Sequence, residues 1–358
     1  MKHLSLIIFC LVFSFSFVAF AQTDSEKTTD KNLPKVHILA TGGTIAGAGE
    51  SQTKAAYKAG EVPVEELLNA VPEIHNQAEI TGEQIANIGS QDMDIKTWLK
   101  LSNRINEIFE NQEADAVIIT HGTDTMEETA YFLSLTVNSD KPVVLVGAMR
   151  PATAMSQDGN RNLLDAVTVA AAEKSKNIGV VVAMNEYIFS AKDVDKTHTT
   201  NTSAFQSRNF GPMGVVFDGK VEFYHQVFQK EKKIFDVSNL KTLPRVDIFY
   251  GYVDADPKII DFAINHKAKG IVFAGVGNGN FSKEMESALA KAVEKNIQVV
   301  RSSRIGEGRV TLENEVDDEK LGFIASDYLN PQKARILLML ALTKTQDKKE
   351  IQALFLEN

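Results

Sequence analysis

The chain has 358 residues, with 38 Lys and Arg against 47 Asp and Glu and a formal net charge of −9. That acidity, with no basic stripe, argues against a nucleic-acid partner. The single cysteine, Cys10, sits in an N-terminal apolar stretch, so the remainder has no disulfide framework, thiol nucleophile or cysteine-held metal. The histidines are scattered without H-E-x-x-H spacing, which speaks against zinc, and the sequence implies no cofactor.

Met1-Lys2-His3 precedes an apolar run over residues 4–20, and Ala19-Phe20-Ala21 supplies a small-residue cleavage pattern. One positive charge, a short apolar run and that pattern predict a secretory signal peptide at 1–21 and a periplasmic protein, with no membrane association after cleavage. Residues 22–33 are polar and read as a flexible spacer. Strands are then expected at 36–40, 116–120, 143–147 and 178–184, and helices at 63–70, 97–110, 126–137 and 161–174. Apolar runs rich in β-branched residues, alternating with helices, predict a parallel sheet covered on both faces. Residues 215–223 read as a β-hairpin turning at Asp218-Gly219. A charged stretch follows, and 226–245 is taken as a linker. Further strands are expected at 246–250, 270–273 and 298–300, with helices at 257–266, 283–295 and 332–343. The predicted fold is α/β with two domains. A larger N-terminal domain, 34–225, has a mostly parallel sheet flanked by helices, and a smaller C-terminal α/β domain spans 246–358.

Two turns stand out. Ile38-Leu39-Ala40-Thr41-Gly42-Gly43-Thr44-Ile45-Ala46-Gly47 and Val117-Ile118-Ile119-Thr120-His121-Gly122-Thr123-Asp124-Thr125 each place a threonine and glycine at the end of an apolar strand. A hydroxyl beside bare backbone N–H groups is a nucleophile next to an oxyanion site, the pairing that acyl transfer needs. Two such turns in one α/β domain would face each other at the carboxyl ends of the strands, where ligands bind in this class. On local sequence alone the Thr44 turn reads first as a plain tight turn or a phosphate-cradling loop, although neither a P-loop nor a dinucleotide fingerprint is completed there. Asp124 suits either a helix cap or an ammonium ligand. His121 reads as a hydrogen-bonded structural residue. Gly89-Ser90-Gln91-Asp92-Met93 is a third polar turn, suited to a small zwitterion. Lys196 is either a surface charge or, if buried near Thr123, a base.

Read together, these motifs resemble the bacterial type II L-asparaginases of the asparaginase–glutaminase family. Val146-Gly147-Ala148-Met149-Arg150-Pro151 and Ala274-Gly275-Val276-Gly277-Asn278-Gly279-Asn280 add to the match, which covers essentially everything after Pro34. The resemblance implies hydrolysis of L-asparagine to L-aspartate and ammonia, with some glutaminase activity. It implies that Thr44 is the primary nucleophile, assisted by Tyr57, and that Thr123 is a second catalytic threonine in a triad with Asp124 and Lys196. By the same resemblance Gly43, Ser90 and Gln91 bind the substrate together with Thr123 and Asp124. Asn278, a second-domain residue near the site, and Glu315, donated by a neighbouring subunit of a homotetramer, are also implied to bind the substrate, and Glu315 to share in catalysis. A rival from another class is an amino-acid binding protein, which shares the two α/β domains and the signal peptide but needs no paired threonines.

Overall fold

The computed structural model describes residues 33–49, 51–52, 58, 60, 62–224 and 234–357. The expected signal peptide and spacer, and the first part of the expected linker, lie outside the described residues. Leu33–Asn358 is one compact unit.

The first strands are β1 (Lys35–Gly42), β2 (Glu79–Ile88), β3 (Ala116–Thr120), β4 (Val143–Val146), β5 (Val180–Met184) and β6 (Tyr187–Ser190). Next, β7 (Val194–Lys196) and β8 (Phe205–Ser207) pair as a separate antiparallel ribbon, while β9 (Gly214–Phe217) and β10 (Lys220–Phe223) return to the main sheet. That eight-stranded sheet has the order β10-β9-β6-β5-β4-β3-β1-β2. It is parallel from β2 through β5 and antiparallel beyond. The central strands β3, β4 and β5 are buried along their whole length, which is why they read as unbroken runs of Val and Ile rather than as alternation. The hairpin turn is as expected: Asp218 and Gly219 have φ of 49° and 68°, the left-handed pair that matches strand twist.

Four helices pack on this sheet: α1 (Val64–Asn69), α2 (Ile95–Glu110), α3 (Met126–Thr136) and α4 (Gly159–Ala171). The start of α2 is fixed by Asp94, whose carboxylate accepts from Thr97 N at 2.7 Å, satisfying one of the free N–H groups of the first turn.

The second sheet is wholly parallel, in the order β11 (Val246–Tyr250), β12 (Gly270–Gly275), β13 (Gln298–Ser303), β14 (Phe323–Ala325). Its helices are α5 (Ile259–Asn265), α6 (Lys283–Glu294), α7 (Asp318–Leu321), α8 (Pro331–Ala341) and α9 (Lys348–Glu357). One apolar cluster runs from Leu145 and Val182 of the first sheet, through α3 and α8, to Val272 and Val300 of the second.

Several features depart from the sequence reading. β2 was not expected, because it is an edge strand with a single fully buried residue, so it lacks the apolar alternation that marks a half-buried strand. α9 and β14 were missed as well. The end of the stretch read as a linker is core wall: Phe235, Val237 and Leu243 are buried in the cluster, and Phe235 N donates to Leu135 O at 2.8 Å.

Candidate active site

Three polar turns meet because their strands are neighbours. β1 lies between β2 and β3, with Ala40 in register with Thr120 and Gly42 with Ile88. The turns that follow therefore emerge side by side at the carboxyl edge. Thr41 Oγ1 donates to Thr120 O at 2.9 Å, and Gly43 N donates to Ile88 O at 3.0 Å. Contact is by bare backbone. A Cβ on Gly43 would sit 2.5 Å from Gly122 Cα, and a Cβ on Gly122 would sit 2.6 Å from Ser90 Oγ. Gly42 and Gly43 also hold φ of 103° and 81°, a region that side chains disfavour. These glycines are what bring Thr44, Ser90 and Thr123 to one place. Thr44 and Thr123 are both buried, at 6% and 5% exposure, whereas the Asp124 side chain is 58% exposed.

The cap expected for α3 is not made. Its N-cap residue is Thr125, without a side-chain cap bond. Thr125 Oγ1 instead donates to Ser90 O at 2.8 Å, and Ser90 Oγ accepts from Asp124 N at 3.0 Å. The hydroxyls that a helix start would use stitch the second turn to the third. The Asp124 carboxylate is thereby left for Lys196, at the end of β7. Lys196 Nζ lies 2.6 Å from Asp124 Oδ1 and 2.8 Å from Thr123 Oγ1, so hydroxyl, amine and carboxylate form one line along which a proton can pass. Gln91 is exposed beside the same turn.

Two buried groups hold this line, and sequence reasoning missed the role of the first. Glu127 accepts from Lys196 N at 2.7 Å and from Gln332 Nε2 at 2.5 Å, fixing the backbone that delivers Lys196. Burial pushes its carboxyl above the usual range, opposed by Lys333. On the other side, His121 Nδ1 is 2.6 Å from Gly122 O and its Nε2 is 2.9 Å from Thr129 Oγ1. Trp98 Nε1 donates to that hydroxyl at 2.8 Å. A carbonyl only accepts, so Nδ1 carries the proton and Nε2 accepts from Thr129. Burial lowers the His121 pKa to about 4, which keeps the ring neutral and the chain intact. His121 is structural, as expected. Fixing the Gly122 carbonyl on the ring fixes the Thr123 N–H in the opposite direction, because the peptide is planar and trans.

Tyr57 lies outside the described residues. The segments flanking it are joined by reciprocal backbone bonds between Ala48 and Lys58, of 3.0 and 3.1 Å.

The structure does not bring Asn278 and Glu315 to the turns just described. They belong to loops after β12 and β13. Asn278 Nδ2 donates to Thr311 Oγ1 at 2.8 Å, and Thr311 N donates to Asn278 Oδ1 at 2.9 Å. The exposed Glu315 accepts from Asn280 Nδ2. Among the described residues, no group of three or more His, Cys, Asp or Glu side chains is placed to hold a metal ion, and no helix is long and apolar enough to cross a membrane.

Comparison with known proteins fits this arrangement. Residues 35–229 match the family model described as asparaginase, N-terminal, and residues 245–355 match the glutaminase/asparaginase C-terminal domain. The chain is 51% identical to L-asparaginase 2 of Escherichia coli K12, over 90% of this chain and 93% of that protein. It is 52% identical to a probable periplasmic L-asparaginase of Haemophilus influenzae, over 90% of this chain and 93% of that one. A solved structure of a probable cytoplasmic L-asparaginase from Campylobacter jejuni superposes with a TM-score of 0.87 at 50% identity, covering 91% of this chain and all of that one. A chain matched by both family models over most of its length, with its hydroxyl-bearing turns at the edge of a parallel sheet, belongs to the asparaginase family.

Proposed function

We propose that the protein hydrolyses the side-chain amide of L-asparagine to L-aspartate and ammonia, with L-glutamine as a secondary substrate, and that Thr44 is the nucleophile. The observation that carries this reading is the Thr123–Lys196–Asp124 line, with bonds of 2.8 and 2.6 Å, in a turn packed against the Thr44 turn through bare glycines. A binding protein has no use for an amine held between a hydroxyl and a carboxylate.

In the first step Thr44 Oγ1 adds to the amide carbon and gives up its proton. The C–N bond breaks, nitrogen leaves as ammonia, and an ester to Thr44 remains. Water then adds to the ester and returns the proton to Thr44. Negative charge builds on the carbonyl oxygen in both steps, and N–H groups of the Gly43 and Thr123 turns are the local donors for it. Thr123, Lys196 and Asp124 relay the proton. Tyr57 is assigned to assist Thr44. Ser90, Gln91 and Asp124 are assigned to the α-carboxylate and α-ammonium of the substrate, and Asp124 and Glu315 supply the negative charge that the ammonium needs. By the family resemblance Glu315 reaches this site from a neighbouring copy, in a homotetramer with shared sites. The domain partition proposed is 34–225 and 246–358, joined by 226–245. Export to the periplasm is proposed from the signal-peptide pattern at 1–21; among the relatives above, the Haemophilus protein is named periplasmic and the Campylobacter protein cytoplasmic.

The test is ammonia release by residues 22–358 with L-asparagine and L-glutamine side by side. Faster release from asparagine supports the reading. Equal rates shift the preference to both amides at the same site. A folded protein that releases none from either overturns it.

A further inference from the structure

We propose that the buried pair Arg301–Asp318 is a positioning device for substrate recognition: it locks the two loops bearing Asn278 and Glu315 into one rigid unit that presents the Glu315 carboxylate to the substrate ammonium. The inference rests on the amidohydrolase reading above and names residues outside the catalytic turns.

Arg301 projects from β13 and is 1% exposed, as is Asp318 at the start of α7. Its Nε and Nη2 reach the two Asp318 oxygens at 2.5 and 2.6 Å. The fork does not stop there. Nη1 donates to Asn278 O and Nη2 to Thr311 O, each at 3.0 Å. Four of the five guanidinium N–H groups are thus used, two on the carboxylate and one on each loop. Asp318 Oδ2 also accepts from Glu313 N at 3.1 Å, two residues before Glu315. Asn278 completes the stitch by its paired bonds with Thr311, and Asn280 Nδ2 holds Glu315 itself.

The chain is shaped to admit this arrangement. Gly279 has φ of 76°, and a Cβ there would lie 2.9 Å from Val310 Cγ1 and 3.2 Å from Arg301 Nη1. Only glycine lets the 276–280 turn close over the guanidinium. Val316, just after Glu315, is buried among Phe323 and Ile271, so the loop is anchored on both sides of an exposed carboxylate.

A buried ion pair is weak support for stability, since apolar residues of similar volume often serve as well. A planar fork that fixes several acceptors at once does what an apolar pair cannot. Here the acceptors are the loop carbonyls, and the group they frame is a carboxylate facing solvent. Asn278 follows the same logic. Its amide donates to Thr311 Oγ1 and accepts from Thr311 N, so it ties the two loops together.

The experiment compares wild type, Arg301→Lys and Thr311→Val in ammonia release from L-asparagine and in inhibition by L-aspartate and by succinate, which lacks the ammonium. Wild-type turnover of asparagine is measured first, so failure of the underlying reading shows itself separately. Arg301→Lys keeps the charge and loses the fork. It is expected to raise KM for asparagine and the inhibition constant of aspartate roughly tenfold, the scale of one charge-assisted hydrogen bond. The kcat should stay within about twofold and succinate inhibition should be unchanged, because misplacing a recognition group spares the reacting centre. Thr311→Val, a milder change at a half-buried site, should move the same constants in the same direction. Equal weakening of aspartate and succinate, or unchanged constants in folded Arg301→Lys, overturns the proposal. If Arg301→Lys does not fold, Thr311→Val decides: unchanged constants for asparagine and aspartate overturn it.

Discussion

The carboxyl ends of the two sheets solve one problem, holding polar loops still, in opposite ways. At the first sheet the turns after β1, β2 and β3 touch through bare glycines: Gly43 against the Gly122 backbone, and Gly122 against the Ser90 side chain. Hydroxyls make the short links, and a charged pair, Lys196 with Asp124, faces the site. At the second sheet the loops after β12 and β13 are fixed by a charged pair buried beneath them. The difference follows from what each must expose. A turn that does chemistry needs bare N–H groups and a hydroxyl at contact distance, so its supports are small. A loop that presents one carboxylate can be held from below by a large rigid fork.

The contrast can be broken in order of expected effect. Lys196→Met removes the amine between Thr123 and Asp124. It should lower kcat by roughly 10²–10⁴-fold, the range for losing a proton-transfer group, with melting temperature little changed; kcat within a factor of two would detach Lys196 from the chemistry. Gly43→Ala would set a Cβ 2.3 Å from Gly122 N, forcing the two turns apart, and should cost on the order of 10² in kcat/KM. Steady-state kinetics on the folded variant checks this, and full activity would mean the close approach is incidental.

His121 supplies a test on stability. Its pKa is lowered from 6.5 to about 4 by burial. Between those values only the unfolded chain takes up the proton. The stabilisation is therefore complete above about pH 6.5 and is lost as pH falls toward 4, by about 3 kcal/mol. Urea unfolding at pH 7 and pH 4.5 should show this loss in wild type, and a flatter acid limb in His121→Asn. Equal acid sensitivity in the two proteins would remove His121 as the cause.

The parts legible in the sequence were those written locally. Unbroken β-branched runs marked β3 and β4, Asp218-Gly219 marked the hairpin, and the threonine turns were visible because Gly-Thr follows an apolar strand. What was hidden depends on partners far along the chain. The burial of Phe235 is set by α3, not by the charges around it in sequence. Glu127 looked like one more acid in a helix start, and only its bonds to Lys196 N and Gln332 reveal its place. Arg301 lay inside a strand whose expected end, at residue 300, was too short to include it; the observed strand runs to Ser303. The Asp124 and Thr125 side chains show the converse. Their local pattern is that of a helix cap, and the fold spends them on Lys196 and Ser90 instead.

The most direct test of the account is ammonia release from L-asparagine by Thr44→Ala beside wild type, with circular dichroism and melting temperature taken on the same preparations. The account predicts a folded variant with unchanged melting behaviour and turnover at least 10³-fold lower, as expected for loss of a nucleophile. A folded Thr44→Ala that releases ammonia at near wild-type rate would contradict it and move the nucleophile elsewhere in the site.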